Sequence, residues 1–154
     1  AEVIEATVGC GRPRWAKLSP NTDRIVEVAE AVHGAGAEAV TLINTLLGMV
    51  IDPDTLRPAL GNGGGGLSGR AIHPVAVRAV YDVRQALADL PIIGVGGVST
   101  GWEAAELMLS GAQAVQVGTA SFADPRACVR VSDELVKFAR DREIPRLVDL
   151  SAVT

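Results

Sequence analysis

Two glycine-rich turns contain the residues of this sequence best suited to binding chemistry. Gly96 and Gly97 close the apolar run 91–95, and Gly118 and Thr119 close a second apolar run further along the chain. Because glycine has no Cβ, the backbone N–H groups of such turns can approach an anion closely, and the dipole of a following helix favours negative charge. The two turns together predict a phosphate-binding site, and a plain tight turn is the alternative for either one alone.

Polar residues also lie at the ends of two other apolar runs. Lys17 is near the end of one, where a buried ammonium group needs an anion or a polar ligand. A lysine at a strand edge that points to water is the alternative. Asn44 and Thr45 end the other run. An amide can both donate and accept, so this pair suits a ligand with adjacent carbonyl and N–H groups, unless it simply begins a loop.

These residues require elements that bring them to one edge of a sheet. Short runs of Ile and Val that end in glycine are typical of strands buried on both faces, as in parallel sheets. We predict four strands, at residues 14–18, 39–44, 91–95 and 113–118, of which the last two have this pattern. Right-handed connections through helices then place the loop after each strand at the same edge.

Helices are predicted from their caps and from apolar periodicity. Thr100 and Glu103 form a capping box before one helix. Val28 is predicted on the inner face of another. A first helix is predicted to be stopped by Gly9 and Gly11, a second to span 22–34 behind Asn21, and a third to run from His73 to about 88. The last is predicted to begin at an Asp124 N-cap, with Pro125 at its first position, and to run to about 141.

An internal repeat indicates the fold class. Residues 36–45 closely resemble residues 111–119, so the chain repeats a βα unit. Such a repeat is typical of a barrel or of another parallel α/β array. In a (β/α)8 barrel, the loops after the last two strands form a phosphate site of the kind predicted here.

The longest irregular segment, about residues 45–73, is predicted to be functional because loops of this length are uncommon in compact domains. It is predicted to contain a small hairpin around Pro53. The glycines of 61–69 cannot pack a core, so they suit a mobile lid or backbone that runs against a flat cofactor. A disordered turn is the alternative.

Composition excludes several classes of protein. The 154 residues carry a net charge of -4 with 3% aromatic residues, which argues against a nucleic-acid partner. No apolar run approaches the length of a membrane span. Cys10 and Cys128 are far apart, so a reduced, cytoplasmic compartment and no metal site are expected. We expect a single domain over 1–154 that begins inside a longer protein, and we assign no role to the tail 144–154.

Five segments together resemble the second half of dihydroorotate dehydrogenase. They are Lys17-Leu-Ser-Pro-Asn, Ile43-Asn-Thr-Leu-Leu-Gly-Met with Ile51-Asp, Gly65-Gly-Leu-Ser-Gly-Arg-Ala-Ile-His-Pro, Ile93-Gly-Val-Gly-Gly-Val and Val117-Gly-Thr-Ala. The Ile-Asn-Thr and Ile-Asp segments resemble class 1B, the NAD-linked bacterial type. The resemblance implies a (β/α)8 TIM barrel, of which this chain covers about the last four βα units. It also implies oxidation of dihydroorotate to orotate with FMN in pyrimidine biosynthesis.

The resemblance also implies roles for individual residues. Lys17 would contact the flavin ring near its pyrimidine end, and Ile43 would line the flavin. Asn44 and Thr45 would hydrogen-bond the orotate ring. FMN would further be held by Gly69 through its backbone and, at its phosphate, by Gly96, Gly97, Gly118 and Thr119.

The sequence departs from the family pattern in two respects. The family's catalytic Cys belongs to a loop upstream of this chain, and neither Cys10 nor Cys128 is expected to replace it. Four strands are predicted where a barrel needs eight. The chain alone is therefore expected to be inactive and to pair with the missing N-terminal half or with another copy. The family also implies an electron-transfer subunit with FAD and an iron–sulfur cluster.

Two other functions are consistent with the same residues. The chain could be the phosphate-binding half of a phosphosugar isomerase or synthase barrel, with no redox chemistry. It could also be an inactive fragment that dimerises through its exposed inner face.

Overall fold

The computed structural model describes residues 1–152 and contains alternating strands and helices. The strands are β1 (Trp15–Leu18), β2 (Ala39–Leu42), β3 (Leu46–Gly48), β4 (Gly65–Leu67), β5 (Ile92–Val95) and β6 (Ala114–Gln116). The α-helices are α1 (Glu2–Ala6), α2 (Ile25–Gly34), α3 (His73–Ala86), α4 (Gly101–Leu109), α5 (Ala120–Ala123) and α6 (Ala127–Asp141). Short 3-10 helices span Val8–Cys10, Arg70–Ile72 and Leu147–Ala152.

Four of the strands form one parallel sheet in the order β1-β2-β5-β6. Leu18 pairs with Leu42, Leu42 with Gly94, and Gly94 with Val115, so the carboxyl ends of all four strands lie at one edge. This is the predicted arrangement. Over residues 1–152 the sheet does not close on itself, and β1 and β6 are its two edges.

The hydrophobic core lies between the helices and one face of the sheet. Val40, Leu42 and Ile92 on the sheet and Val80 on α3 are completely shielded from solvent. Burial of each such side chain contributes about 1.5–3 kcal/mol. The other face is less well covered, because Trp15, which alternates with buried neighbours along β1, is 60% exposed.

Several predicted helix limits are wrong for local reasons. Helix α1 ends at Ala6, before Gly9, and the chain then turns through a 3-10 helix to the left-handed Gly11. Helix α2 begins at Ile25 rather than behind Asn21, and Val28 on it is exposed rather than inward.

The last long helix also begins later than predicted. Asp124 has extended backbone angles and ends α5, a short helix that was not predicted. Its carboxylate accepts a hydrogen bond from the Arg126 N–H at 3.0 Å, so Pro125 lies in the turn before α6 rather than at its first position.

The long segment after β2 is an ordered hairpin. Strands β3 and β4 pair antiparallel, so the glycine-rich run forms a strand and not the disordered turn considered as an alternative. The predicted turn near Pro53 is present, because the Asp52 carboxylate accepts hydrogen bonds from the N–H groups of Asp54 and Thr55, each at 2.9 Å. Ile51 and Pro58 bridge the two arms of that turn.

The tail has a structural role that the sequence did not suggest. The 3-10 helix Leu147–Ala152 packs against α4, and Leu150 is completely buried in the core. Residues 153–154 of the tail lie outside the described range. None of the helices between residues 1 and 152 is long and apolar enough to cross a membrane.

Candidate functional site

A cleft of about 420 Å³ opens at the carboxyl edge of the parallel sheet. Its size is in the range of pockets that bind small cofactors. Lys17 of β1 and the loops that follow β2, β4, β5 and β6 contribute to its wall. Every residue predicted for the site lines this cleft: Lys17, Ile43, Asn44, Thr45, Gly69, Gly96, Gly97, Gly118 and Thr119.

The glycine end of the cleft is made of bare backbone. Gly96 and Gly97 have φ angles of 144° and 70°, which side chains of L-residues rarely adopt. A Cβ on Gly96 would lie 2.7 Å from the Ala76 Cβ, and one on Gly97 would lie 2.8 Å from the Gly69 carbonyl oxygen. The turn therefore has no room for a side chain at either position. Both glycines line the cleft.

Three basic side chains line the cleft. Lys17, Arg70 and Arg130 line the cleft together with one carboxylate, that of Asp124. The Arg126 N–H and the Arg130 guanidinium lower the pKa of Asp124, so this carboxylate is ionised. Arg130 pairs with it at 3.1 Å. Arg70 also pairs with Glu103 at 2.9 Å and Arg130 with Glu134 at 3.2 Å, so carboxylates largely offset both arginine charges. Neither arginine has any signal in the sequence pattern.

At the other end of the cleft, Lys17 and Asn44 form a hydrogen bond. The Lys17 Nζ donates to the Asn44 Oδ1 at 2.8 Å. Because an ammonium group can only donate, this contact determines which way the Asn44 amide points. The Nδ2 group is the part of the Asn44 amide left to donate to a further partner. The role of Asn44 and Thr45 toward a ligand stays a prediction.

Asn21 supports this end of the cleft, although the sequence pattern assigned it to a helix start. Its Nδ2 donates to the Thr45 carbonyl at 3.0 Å, and its Oδ1 accepts from the Leu47 N–H at 2.7 Å. A Cβ on Gly66 of β4 would lie 2.2 Å from the Thr45 Oγ1. Asn21 and Gly66 thus hold the β3–β4 hairpin against Thr45.

His73 lies behind the glycine turn and outside the cleft. Its side chain is buried, and Nδ1 donates to the Gly96 carbonyl at 2.8 Å. Its Nε2 faces the Glu106 carboxylate at 3.3 Å. These contacts give the histidine a structural role.

The two cysteines are exposed, and neither lines the cleft. Within the described residues, no group of three or more His, Cys, Asp or Glu side chains is placed to hold a metal ion. Neither cysteine is therefore placed to act as a base in the cleft.

Comparison with known families decides the relationship. The family model for dihydroorotate dehydrogenase matches residues 3–138. The chain belongs to the dihydroorotate dehydrogenase family. This result confirms the family that the five sequence segments suggested.

Individual relatives cover most of this chain but only part of their own length. The dihydroorotate dehydrogenase B (NAD(+)) catalytic subunit of Halalkalibacterium halodurans is 51% identical over 138 residues, which are 90% of this chain and 45% of the relative. A putative dihydroorotate dehydrogenase A (fumarate) of Solibacter usitatus is 46% identical over 151 residues, 97% of this chain and 49% of the relative. The chain thus spans about half the length of these curated relatives.

A solved dihydroorotate dehydrogenase structure has the same fold. The crystal structure of DHODH from Eimeria tenella in complex with ferulenol superposes with a TM-score of 0.75 at 29% identity. The match covers 92% of this chain and 38% of that chain. It confirms the predicted α/β class, in which this chain supplies part of a (β/α)8 barrel. The roles of the individual cleft residues stay predictions.

Proposed function

We propose that this chain, a single domain, supplies the FMN- and orotate-binding half of a cytoplasmic class 1B dihydroorotate dehydrogenase. The whole enzyme would oxidise dihydroorotate to orotate in pyrimidine biosynthesis. The observation that supports this most is that all nine positions to which the family resemblance assigns a ligand contact line one cleft at the carboxyl edge of the sheet. The identity of 51% to a B-type subunit, against 46% to an A-type relative, favours class 1B.

The cleft fits FMN in shape and charge. The turn at Gly96 and Gly97 lines the cleft with glycine backbone, and a Cβ at Gly118 would meet no atom within 4 Å. Phosphate binds well to such turns. The Lys17 ammonium at the cleft wall would act in the same direction.

When bound, FMN would accept a hydride from the dihydropyrimidine ring. The chain's own residues would bind and orient the reactants. The Asn44 Nδ2 group, directed by Lys17, would donate to a ring carbonyl or to the carboxylate of the substrate. The Lys17 ammonium would stabilise negative charge at the pyrimidine end of the flavin ring. Thr45, held by Asn21 through its carbonyl, would add a hydroxyl contact to orotate.

The rest of the enzyme would supply what this chain does not contain. The family's Cys base would lie on a loop outside the chain. An electron-transfer subunit with FAD and an iron–sulfur cluster would re-oxidise the flavin, in keeping with relatives that are named catalytic subunits. The isomerase or synthase alternative loses support, because the matching family consists of dehydrogenases, which catalyse redox reactions.

The first test is the visible absorption spectrum of the purified chain, before and after heat denaturation and filtration. We expect flavin in the filtrate when the chain is co-expressed with the remaining portion of the Halalkalibacterium relative. Before denaturation, dihydroorotate should bleach the flavin that is bound to this protein. If neither the chain alone nor the reconstituted protein takes up FMN, the proposal is wrong and the inactive-fragment alternative is favoured.

A further inference from the structure

Glu103 is a buried carboxylate behind the glycine turn, and its bonds exceed what a helix cap requires. It lies in the first turn of α4 and is 6% exposed. The Thr100 hydroxyl already accepts from the Glu103 N–H at 3.3 Å. Glu134 on α6 accepts from the Gly101 N–H at 2.7 Å. Other residues therefore already bond these N–H groups at the start of α4.

The Glu103 carboxylate instead bonds to Ser99 and Arg70, which line the cleft, and to Thr100 beside them. Its Oε2 accepts from the Ser99 N–H at 2.8 Å, from the Ser99 hydroxyl at 2.7 Å and from the Thr100 hydroxyl at 3.1 Å. Its Oε1 accepts from the Arg70 Nε at 2.9 Å. Burial alone would raise the pKa of Glu103, but the bonds from Ser99 and Thr100 and the charge of Arg70 lower it to about 2.

These bonds join two walls of the cleft. Ser99 and Thr100 belong to the turn that follows β5, whereas Arg70 belongs to the 3-10 helix that follows β4. The two segments also touch directly, since a Cβ on Gly97 would lie 2.8 Å from the Gly69 oxygen. A carboxylate that bonds to both segments limits how far they can move apart.

We propose that Glu103 is a positioning residue that holds the 96–100 turn and the Arg70 segment at the separation an anionic phosphate group requires. The inference rests on the proposed flavin function. An isosteric amide cannot replace the carboxylate, because all its partners are donors and the NH2 group of a glutamine would face one of them.

The test compares the affinities of E103Q for FMN and for riboflavin, which lacks the phosphate, by quenching of flavin fluorescence. We expect the dissociation constant for FMN to rise at least tenfold and that for riboflavin less than threefold. Glu30→Gln, at an exposed position of α2, is the matched control and should change neither. Equal losses for both flavins, or an unchanged FMN affinity, would overturn the proposal.

A second variant covers the case in which E103Q does not fold. Ser99→Ala removes one hydroxyl partner of the carboxylate and should weaken FMN about threefold while sparing riboflavin. If wild-type protein binds neither flavin, the proposed function fails. The positioning role of Glu103 is then tested by hydrogen exchange of the backbone amides. Faster exchange of the amides of 96–100 in E103Q would then support the positioning role, and unchanged exchange would contradict it.

Discussion

At the scale of single residues, Lys17 and Asn44 act as a pair. Their hydrogen bond directs the Asn44 amide and holds a positive charge at the cleft. Lys17→Met should raise the dissociation constant for FMN about tenfold or more, because charged hydrogen bonds contribute about 1.5–3 kcal/mol. Fluorescence quenching of FMN measures this, with Lys137→Met on the outer surface of α6 as control. Equal affinities in the two variants would argue against contact between Lys17 and the flavin.

Two cleft glycines should respond differently to a methyl group. Gly97→Ala places a Cβ 2.8 Å from a carbonyl oxygen at a φ of 70°, so it should lower the free energy of unfolding by about 1–3 kcal/mol. Gly118→Ala meets no atom within 4 Å and should leave stability within about 0.5 kcal/mol of wild type.

Gly118→Ala should nevertheless weaken FMN more than riboflavin, because its methyl group would occupy the space next to the phosphate. Urea unfolding and flavin titration of both variants check the pair. Gly61→Ala, with open space around it and outside the cleft, serves as control. A Gly118→Ala protein that binds FMN normally would remove this glycine from the phosphate site.

The charge of Glu103 should make the free energy of unfolding depend on pH. Its pKa is about 2 in the folded chain against an ordinary 4.5, so the ionised carboxylate stabilises the fold above pH 4.5 and loses this effect as the pH falls toward 2. The free-energy difference between wild type and E103Q should therefore shrink between about pH 6 and about pH 3. Urea unfolding at both values tests this. A difference that stays constant would contradict the lowered pKa.

At the scale of elements, the β3–β4 hairpin depends on one side chain for its attachment to the cleft. Asn21 bonds to both the Thr45 carbonyl and the Leu47 N–H. Asn21→Ala should therefore speed hydrogen exchange of the amides in β3 and β4 at least tenfold, while the sheet amides keep their protection. Mass spectrometry of peptides from the two regions measures this. Asn62→Ala, in the turn before β4, should leave exchange in β3 unchanged.

At the scale of the whole molecule, the parallel sheet has two free edges and a partly uncovered face among the described residues. Trp15 on that face is 60% exposed. We expect the 15.9 kDa chain to self-associate alone and to form a one-to-one complex with the remaining portion of a relative. Light scattering after gel filtration measures both masses.

Trp15→Glu should prevent both associations, whereas Val129→Glu on the outer side of α6 should not. A wild-type chain that stays monomeric under both conditions would contradict the predicted pairing.

Much of the fold and of the cleft was predictable because its signals are local. Three signals each act within a few residues: the Thr100 cap, the glycines after the strands and the apolar runs. The ends of strands and the start of α4 can therefore be predicted from the sequence before the fold is known. Helix starts were less predictable. Asp124 has cap chemistry and accepts from the Arg126 N–H, but its extended backbone ends α5, and α6 begins only at Ala127.

The sequence by itself determined the family, the parallel α/β class and the set of residues that line one cleft, because parallel strands bring their carboxyl ends to one edge. The tertiary structure alone decided which side chains support that cleft. Lys17 and Asn44 are 27 residues apart, Asn21 and Thr45 are 24 apart, and Arg70 and Glu103 are 33 apart. No local pattern specifies such contacts, because they form only when separate loops meet at the edge of the folded sheet.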